Sequence, residues 1–126
     1  MRLLVDTHLL LWWLADRSIP ELAAELIRDP ANRLFASAAS LWEVSLKASL
    51  GKIEVTPGAL VQALAKEGFE PLAVSWEHAV RIAELPMHHR DPFDRLLVAQ
   101  SLAESMPLLT SNRALAAYGP MVMVAV

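Results

Sequence analysis

The chain has no cysteine. That excludes a disulfide framework, a thiolate nucleophile and a zinc–thiolate site, and it fits a cytoplasmic protein. No apolar run approaches the roughly 20 residues of a membrane span. The nearest, Leu9 to Ala15, is bracketed by Asp6, His8 and Asp16. The first residues carry one arginine and an early aspartate, a poor match to a signal peptide. An excess of positive charge is also missing. A net charge of -3 does not suit a protein that holds nucleic acid on a broad basic face. A nuclease that gathers carboxylates around metal can still be acidic overall. Repeats and low-complexity segments are absent, and prolines and glycines sit singly at element ends. This predicts one domain over residues 1–126 with no long linker.

What is present is core material: 55% of the 126 residues are hydrophobic and 20% are charged, which argues for a packed domain and against disorder. "RLLV" (Arg2 to Val5) reads as a short buried strand, followed by a helix from Thr7 to Ala15. Pro20 opens the helix "PELAAELIRD" as its first residue. "RLFAS" is a second strand, and "SAASLWEVSLKASLG" is a helix that stops near Gly51. Thr56 caps "TPGALVQALAKEG", which ends at Gly68. "FEPLAVS" is a strand weakened by Pro71. Ser75 caps "SWEHAVRIAEL", and "DPFDRLLVAQSLAESM" is the long central helix. "PLLTS", "NRALAAYG" and "MVMVAV" add a strand, a short helix and a terminal strand. Helices alternate with short, wholly apolar strands. That pattern predicts an α/β fold with a mainly parallel sheet covered on both faces. Ligands in such sheets gather at the carboxyl ends of the strands.

Several carboxylates fall at those ends. Asp6 directly follows the first strand, where it either caps the next helix or points into the crevice. Glu43 lies about two turns into the helix after the second strand. It is either half of a surface pair with Lys47 or faces the same sheet edge as Asp6. Asp91 in "DPFD" reads on its own as a helix cap, ahead of Pro92. Asp94 lies one turn in, on or beside the side of the helix that carries Leu97, Val98, Ser101 and Leu102. A carboxylate there is costly unless something neutralises it, and a divalent cation does so. Asn112 follows the "PLLT" strand as a cap or a neutral oxygen ligand. Hard oxygen donors without cysteine or a spaced histidine pair suit Mg²⁺ or Mn²⁺ rather than zinc. His88 and His89 are adjacent and read as loop residues near phosphate. Arg90, Arg95 and Arg113 either grip phosphate as bidentate partners or neutralise the acids. Thr7 and Thr110 join them as candidate substrate contacts. A phosphoryl-transfer domain with Asp6 as nucleophile ranks last, because it wants a second aspartate close by and a well-placed lysine.

Taken together, "LLVDTHLLLWWL", "ASAASLWEVSLKASLGKIEV", "LPMHHRDPFDRLLVAQSLAE" and "LLTSNRALAAYG" resemble the PIN-domain ribonucleases. They are most similar to the VapC-type toxins of type II toxin–antitoxin pairs. The resemblance spans nearly the whole chain, in order. It implies a three-layer α/β/α sandwich and metal-dependent endonucleolytic cleavage of RNA. It also implies a cation held by Asp6, Asp94 and Glu43, with Asp91 close enough to assist. The family's fourth acid, in a Thr-x-Asp pattern, falls on Asn112. That departure favours one firmly bound metal over two. It also keeps open an alternative, a catalytically weak PIN module that binds RNA or protein. A VapB-like antitoxin and a homodimer, forming a heterotetramer or larger assembly, are the implied partners. Trp12, Trp13, Leu9 to Leu11 and "PELAAELI" are candidate interface residues.

Overall fold

Capping chemistry sets where the elements begin and end. The computed structural model describes residues 1–15 and 17–126; Asp16, one of the charges beside the first apolar run, lies outside them. Strand β1 (Arg2–Val5) runs into helix α1 (Thr7–Leu14), then α2 (Glu21–Arg28), β2 (Arg33–Ser37), α3 (Ala38–Ser49) and α4 (Pro57–Lys66). Strand β3 (Glu70–Leu72), α5 (Trp76–Glu84), α6 (Pro92–Glu104), β4 (Leu108–Thr110), a 3-10 helix (Arg113–Tyr118) and β5 (Val122–Val124) complete the chain.

Asp6, Ser37, Thr56, Ser75 and Asp91 each accept a backbone N–H in the first turn of the helix they precede. Helices α3 and α4 both end in Schellman closures. Gly51 and Gly68 donate to Ala48 and Ala65, while Lys52 and Phe69 donate to Lys47 and Leu64. Both glycines take positive φ, which a side chain would resist. Pro20 lies one place outside α2 rather than within it. Its carbonyl already accepts from Ala24, but its ψ of 139° keeps it extended as the cap residue.

The five strands lie in the order β3-β2-β1-β4-β5, and all four pairings are parallel. The "FEPLAVS" strand contracts to three residues. Pro71 has no N–H to donate and is accommodated because β3 is an edge. Alternation along the strands sends side chains to two cores. Leu3, Val5, Leu34, Ala36 and Leu109 pack against α1, α2 and α4. Leu4, Phe35 and Leu108 pack against α6. The sheet is therefore the middle of three layers. No helix among the described residues is long and apolar enough to cross a membrane.

Helix α6 is buried from Arg95 to Ser101 without interruption, so its polar residues need partners. Gln100 accepts from Ser37 Oγ at 2.5 Å, and its amide faces the carbonyl of Ala73 and Nδ1 of His78. His78 is bonded in turn to Glu104 at 3.0 Å. Among the described residues no buried side-chain nitrogen or oxygen lacks a partner.

The apolar surface expected around α1 and α2 goes largely inward. Leu9 and Leu10 are fully buried, and Leu11, Trp12 and Trp13 pack against the core. Leu22 on α2 stays exposed, and other exposed apolar side chains include Trp42 and Leu46 on α3, Leu50 just after it, Val61 on α4, and Trp76 and Val80 on α5. Leu109→Ala, which empties the centre of the sheet, is expected to cost about 3 kcal/mol. A lower urea midpoint with an unchanged slope is the expected reading.

Candidate functional site

The strand order reverses between β1 and β4. The chain lays β2 and β3 on one side of β1, then crosses over to place β4 on the other. The crevice of an open α/β sheet opens at that point, and Asp6 occupies it. Its N–H donates to Leu109 across the junction at 3.0 Å. Its Oδ1 accepts the N–H of Leu9 at 3.0 Å, and its Oδ2 accepts the Thr110 hydroxyl from the end of β4. Cap and crevice residue are thus one and the same. Asp6 is only 3% exposed, and burial pushes its carboxyl above the ordinary value. The two hydrogen bonds oppose that shift, and the charge of Glu43 adds to it.

Glu43 comes from α3, which Ser37 starts at the end of β2. Thr7 donates to Ser40 at 2.8 Å, tying α1 to α3 one turn before Glu43. Lys47 lies 2.6 Å from Glu43, but this is no surface pair: the glutamate side chain is 4% exposed.

Asp94 is carried by α6. Asp91 caps that helix by accepting the N–H of Asp94 at 2.9 Å. His89 Nε2 lies 2.8 Å from Asp94 Oδ2. Burial raises the Asp94 carboxyl, the His89 bond opposes the rise, and the charges of Asp91 and Asp6 reinforce it. Asp6 therefore feels Glu43, and Asp94 feels both Asp91 and Asp6. Charge thus links Asp6 after β1 to Glu43 of α3 and to Asp94 of α6.

Among the described residues no three His, Cys, Asp or Glu side chains are placed together to hold a metal ion. The chemistry nevertheless fits a hard divalent cation. The donors are carboxylate oxygens with no sulfur. Two of them are desolvated and each is repelled by a neighbouring acid, a cost that a cation removes.

The candidate substrate contacts separate. Arg90 and Arg113 are exposed. Thr7 and Thr110 are buried and bonded to Ser40 and Asp6, so both serve the frame of the site. Asn112 caps the 3-10 helix through Ala114 and donates its N–H to Thr110 Oγ1, both at 3.0 Å. Arg95 requires a correction, since it neither reaches outward for phosphate nor pairs with the acids. It is 8% exposed, and its guanidinium donates to Pro86 O, Ile82 O and Tyr118 Oη. The core-facing turn of α6 takes the side chain inward, and the carbonyls at the end of α5 satisfy it.

Ser40, Tyr118 and the pairing of His89 with Asp94 escaped sequence reasoning. The five-residue spacing of His89 and Asp94 across a helix start has no periodic signature.

An open parallel sheet with acids at its switch point defines an α/β protein with a candidate cation site. The chain belongs to the PIN-domain family, whose sequence profile matches residues 3–119. No curated protein sequence matches it. Among solved structures it is similar to a chain of VapBC2 from Rickettsia felis bound to a DNA fragment from the promoter. That match has 16% identity over 98% of this chain and 97% of the other, with a TM-score of 0.71. DNA-bound VapBC from Salmonella typhimurium gives 12% identity, 98% and 96% coverage, and a TM-score of 0.71. VapBC-5 from Mycobacterium tuberculosis gives 18%, 98% and 96%, and 0.63.

Raised carboxyls make a pH prediction. A folded state with a raised pKa binds more protons than the unfolded chain between the ordinary and raised values. Stability therefore falls as pH rises through that window, and the penalty persists above it. In EDTA, Asp6→Asn should melt above the wild type at pH 7, with the gap closing towards pH 4. A variant that melts lower at pH 7 would contradict this account.

Proposed function

We propose that the chain is a Mg²⁺- or Mn²⁺-dependent endoribonuclease, the VapC-type toxin of a toxin–antitoxin pair, acting on RNA in the cytoplasm. PIN-domain VapC toxins are generally nucleases, and nucleases of this family typically use divalent metal ions. The observation that carries the reading is the buried Asp6 at the switch point, held by Thr110 and repelled by Glu43. The three similar folds named above come from VapBC structures, which supports a VapB-like antitoxin as partner. A homodimer within a heterotetramer or larger assembly belongs to the same reading.

Asp6, Asp94 and Glu43 would hold the cation, with Asp91 adding charge at the mouth of α6. A divalent cation there supplies Lewis-acid charge to the phosphate and acidifies water. Thr110 holds Asp6 through Oδ2. Lys47 holds Glu43 through Oε2, leaving Oε1 either to complete the cation's shell or to orient the attacking water and accept its proton. Arg90 and Arg113, both exposed, are suited to bind backbone phosphates as planar forks. Asn112 contributes no charge and buttresses Thr110, which favours one firmly held metal.

The test is cleavage of a mixed cellular RNA pool by antitoxin-free protein in Mg²⁺, Mn²⁺ or EDTA, beside Asp94→Asn. Cleavage should require metal and fall at least about 100-fold in the variant, on the order of a lost charge-stabilising group. No cleavage in either metal, with RNA still bound, would instead identify a binding module. Asn112→Asp would then be the variant to restore activity.

A further inference from the structure

The segment between α5 and α6 is held more firmly than a surface loop requires. Arg95 is buried with three hydrogen bonds, all to neutral oxygens: Pro86 O at 3.0 Å, Tyr118 Oη at 3.1 Å and Ile82 O at 3.2 Å. Burying a cation without a carboxylate is costly, so the interaction calls for a structural consequence. Tyr118 supplies one. Its hydroxyl oxygen also accepts the backbone N–H of His89 at 3.1 Å, and its ring meets the His88 ring edge-on at 5.1 Å. Guanidinium and phenol together fix the backbone at Pro86 and at His89 itself. The imidazole then lies 2.8 Å from Asp94 Oδ2, with both side chains about one-fifth exposed. Asp91 restrains the same turn from the other side by capping Asp94's own N–H.

We propose that His89 is a positioning residue for the cation site, held by the Arg95–Tyr118 clamp so that it fixes one oxygen of Asp94 and leaves Oδ1 for the metal. The inference rests on the metal-dependent reading above. Side chains that orient a metal ligand without touching the metal typically change its affinity 10- to 100-fold. His89 restrains a freely rotating carboxylate in this way. It contacts neither substrate nor cation.

The experiment measures Mn²⁺ binding to the antitoxin-free protein by electron paramagnetic resonance, at fixed pH and without RNA. Wild type, His89→Ala, His89→Gln, Tyr118→Phe and Asp94→Asn are compared, and RNA cleavage is followed against Mn²⁺ concentration. His89→Ala should weaken Mn²⁺ binding about 10-fold or more, and its cleavage should recover as Mn²⁺ is raised. His89→Gln, which restores an amide donor, should regain most of the affinity. Tyr118→Phe should lose part of it with His89 intact. Wild-type Mn²⁺ affinity in His89→Ala would overturn the proposal, as would cleavage lost at every Mn²⁺ concentration with binding unchanged. Wild-type protein that binds no Mn²⁺ would overturn the metal reading itself, and this inference with it. Binding in the wild type that is absent only in Asp94→Asn would leave that reading standing and overturn the role of His89 alone.

Discussion

One carboxylate joins the sheet to everything built on it. Asp6 ends β1, caps α1 and receives the Thr110 hydroxyl from β4. These contacts bridge the place where the strand order reverses. The β1–β4 ladder is continuous there, but the crossovers leave on opposite faces and open a crevice beyond the strand ends. The crevice is therefore a consequence of topology, and Asp6 is the charged group that topology buries in it. Its surroundings follow: Thr110 is held by Asn112, Ser40 by Thr7, and α3 by Ser37.

Burial and charge oppose each other at this site. The fold desolvates Asp6 and Glu43 and sets Asp94 within reach of Asp6 and Asp91. A domain selected for stability alone would not collect like charges at its best-packed junction. The balancing groups stand at the rim: Lys47 on Glu43 and His89 on Asp94. Each occupies one oxygen of its acid, which leaves the cluster restrained but not neutralised. The same logic explains why Arg95, adjacent in sequence to Asp94, is not its partner. The guanidinium stabilises backbone instead, and the acid remains open to an incoming cation.

Much of this was legible in the residues. Ser37, Thr56, Ser75 and Asp91 announced helix starts, and Gly51 and Gly68 announced ends. The apolar strands announced a parallel sheet. Asp6, Glu43 and Asp94 stood out because each followed or faced a predicted strand end. The limits were physical. Glu43 and Lys47 satisfy a surface-pair spacing, and only packing shows that the glutamate is buried. Trp12 and Trp13 suggested an excess of apolar surface, yet α1 lies flat enough on the sheet to cover most of it. "FEPLAVS" kept strand composition beyond Leu72, but an edge strand with a proline has few partners to extend it.

Whatever depended on hydrogen bonds within a few residues was determined by the sequence alone: caps, glycine closures, the order of strands and helices, and the chemical kind of each acid. Only the tertiary structure decided which acids share a field, and that Thr110, 104 residues away, would hold Asp6. It also decided that Arg95 would turn inward and that His89 would meet Asp94. The reason is reach. A capping bond is fixed by backbone geometry that neighbouring residues already share. The meeting of β1, α3, α6 and β4 exists only once the crossovers have placed those elements around a single crevice.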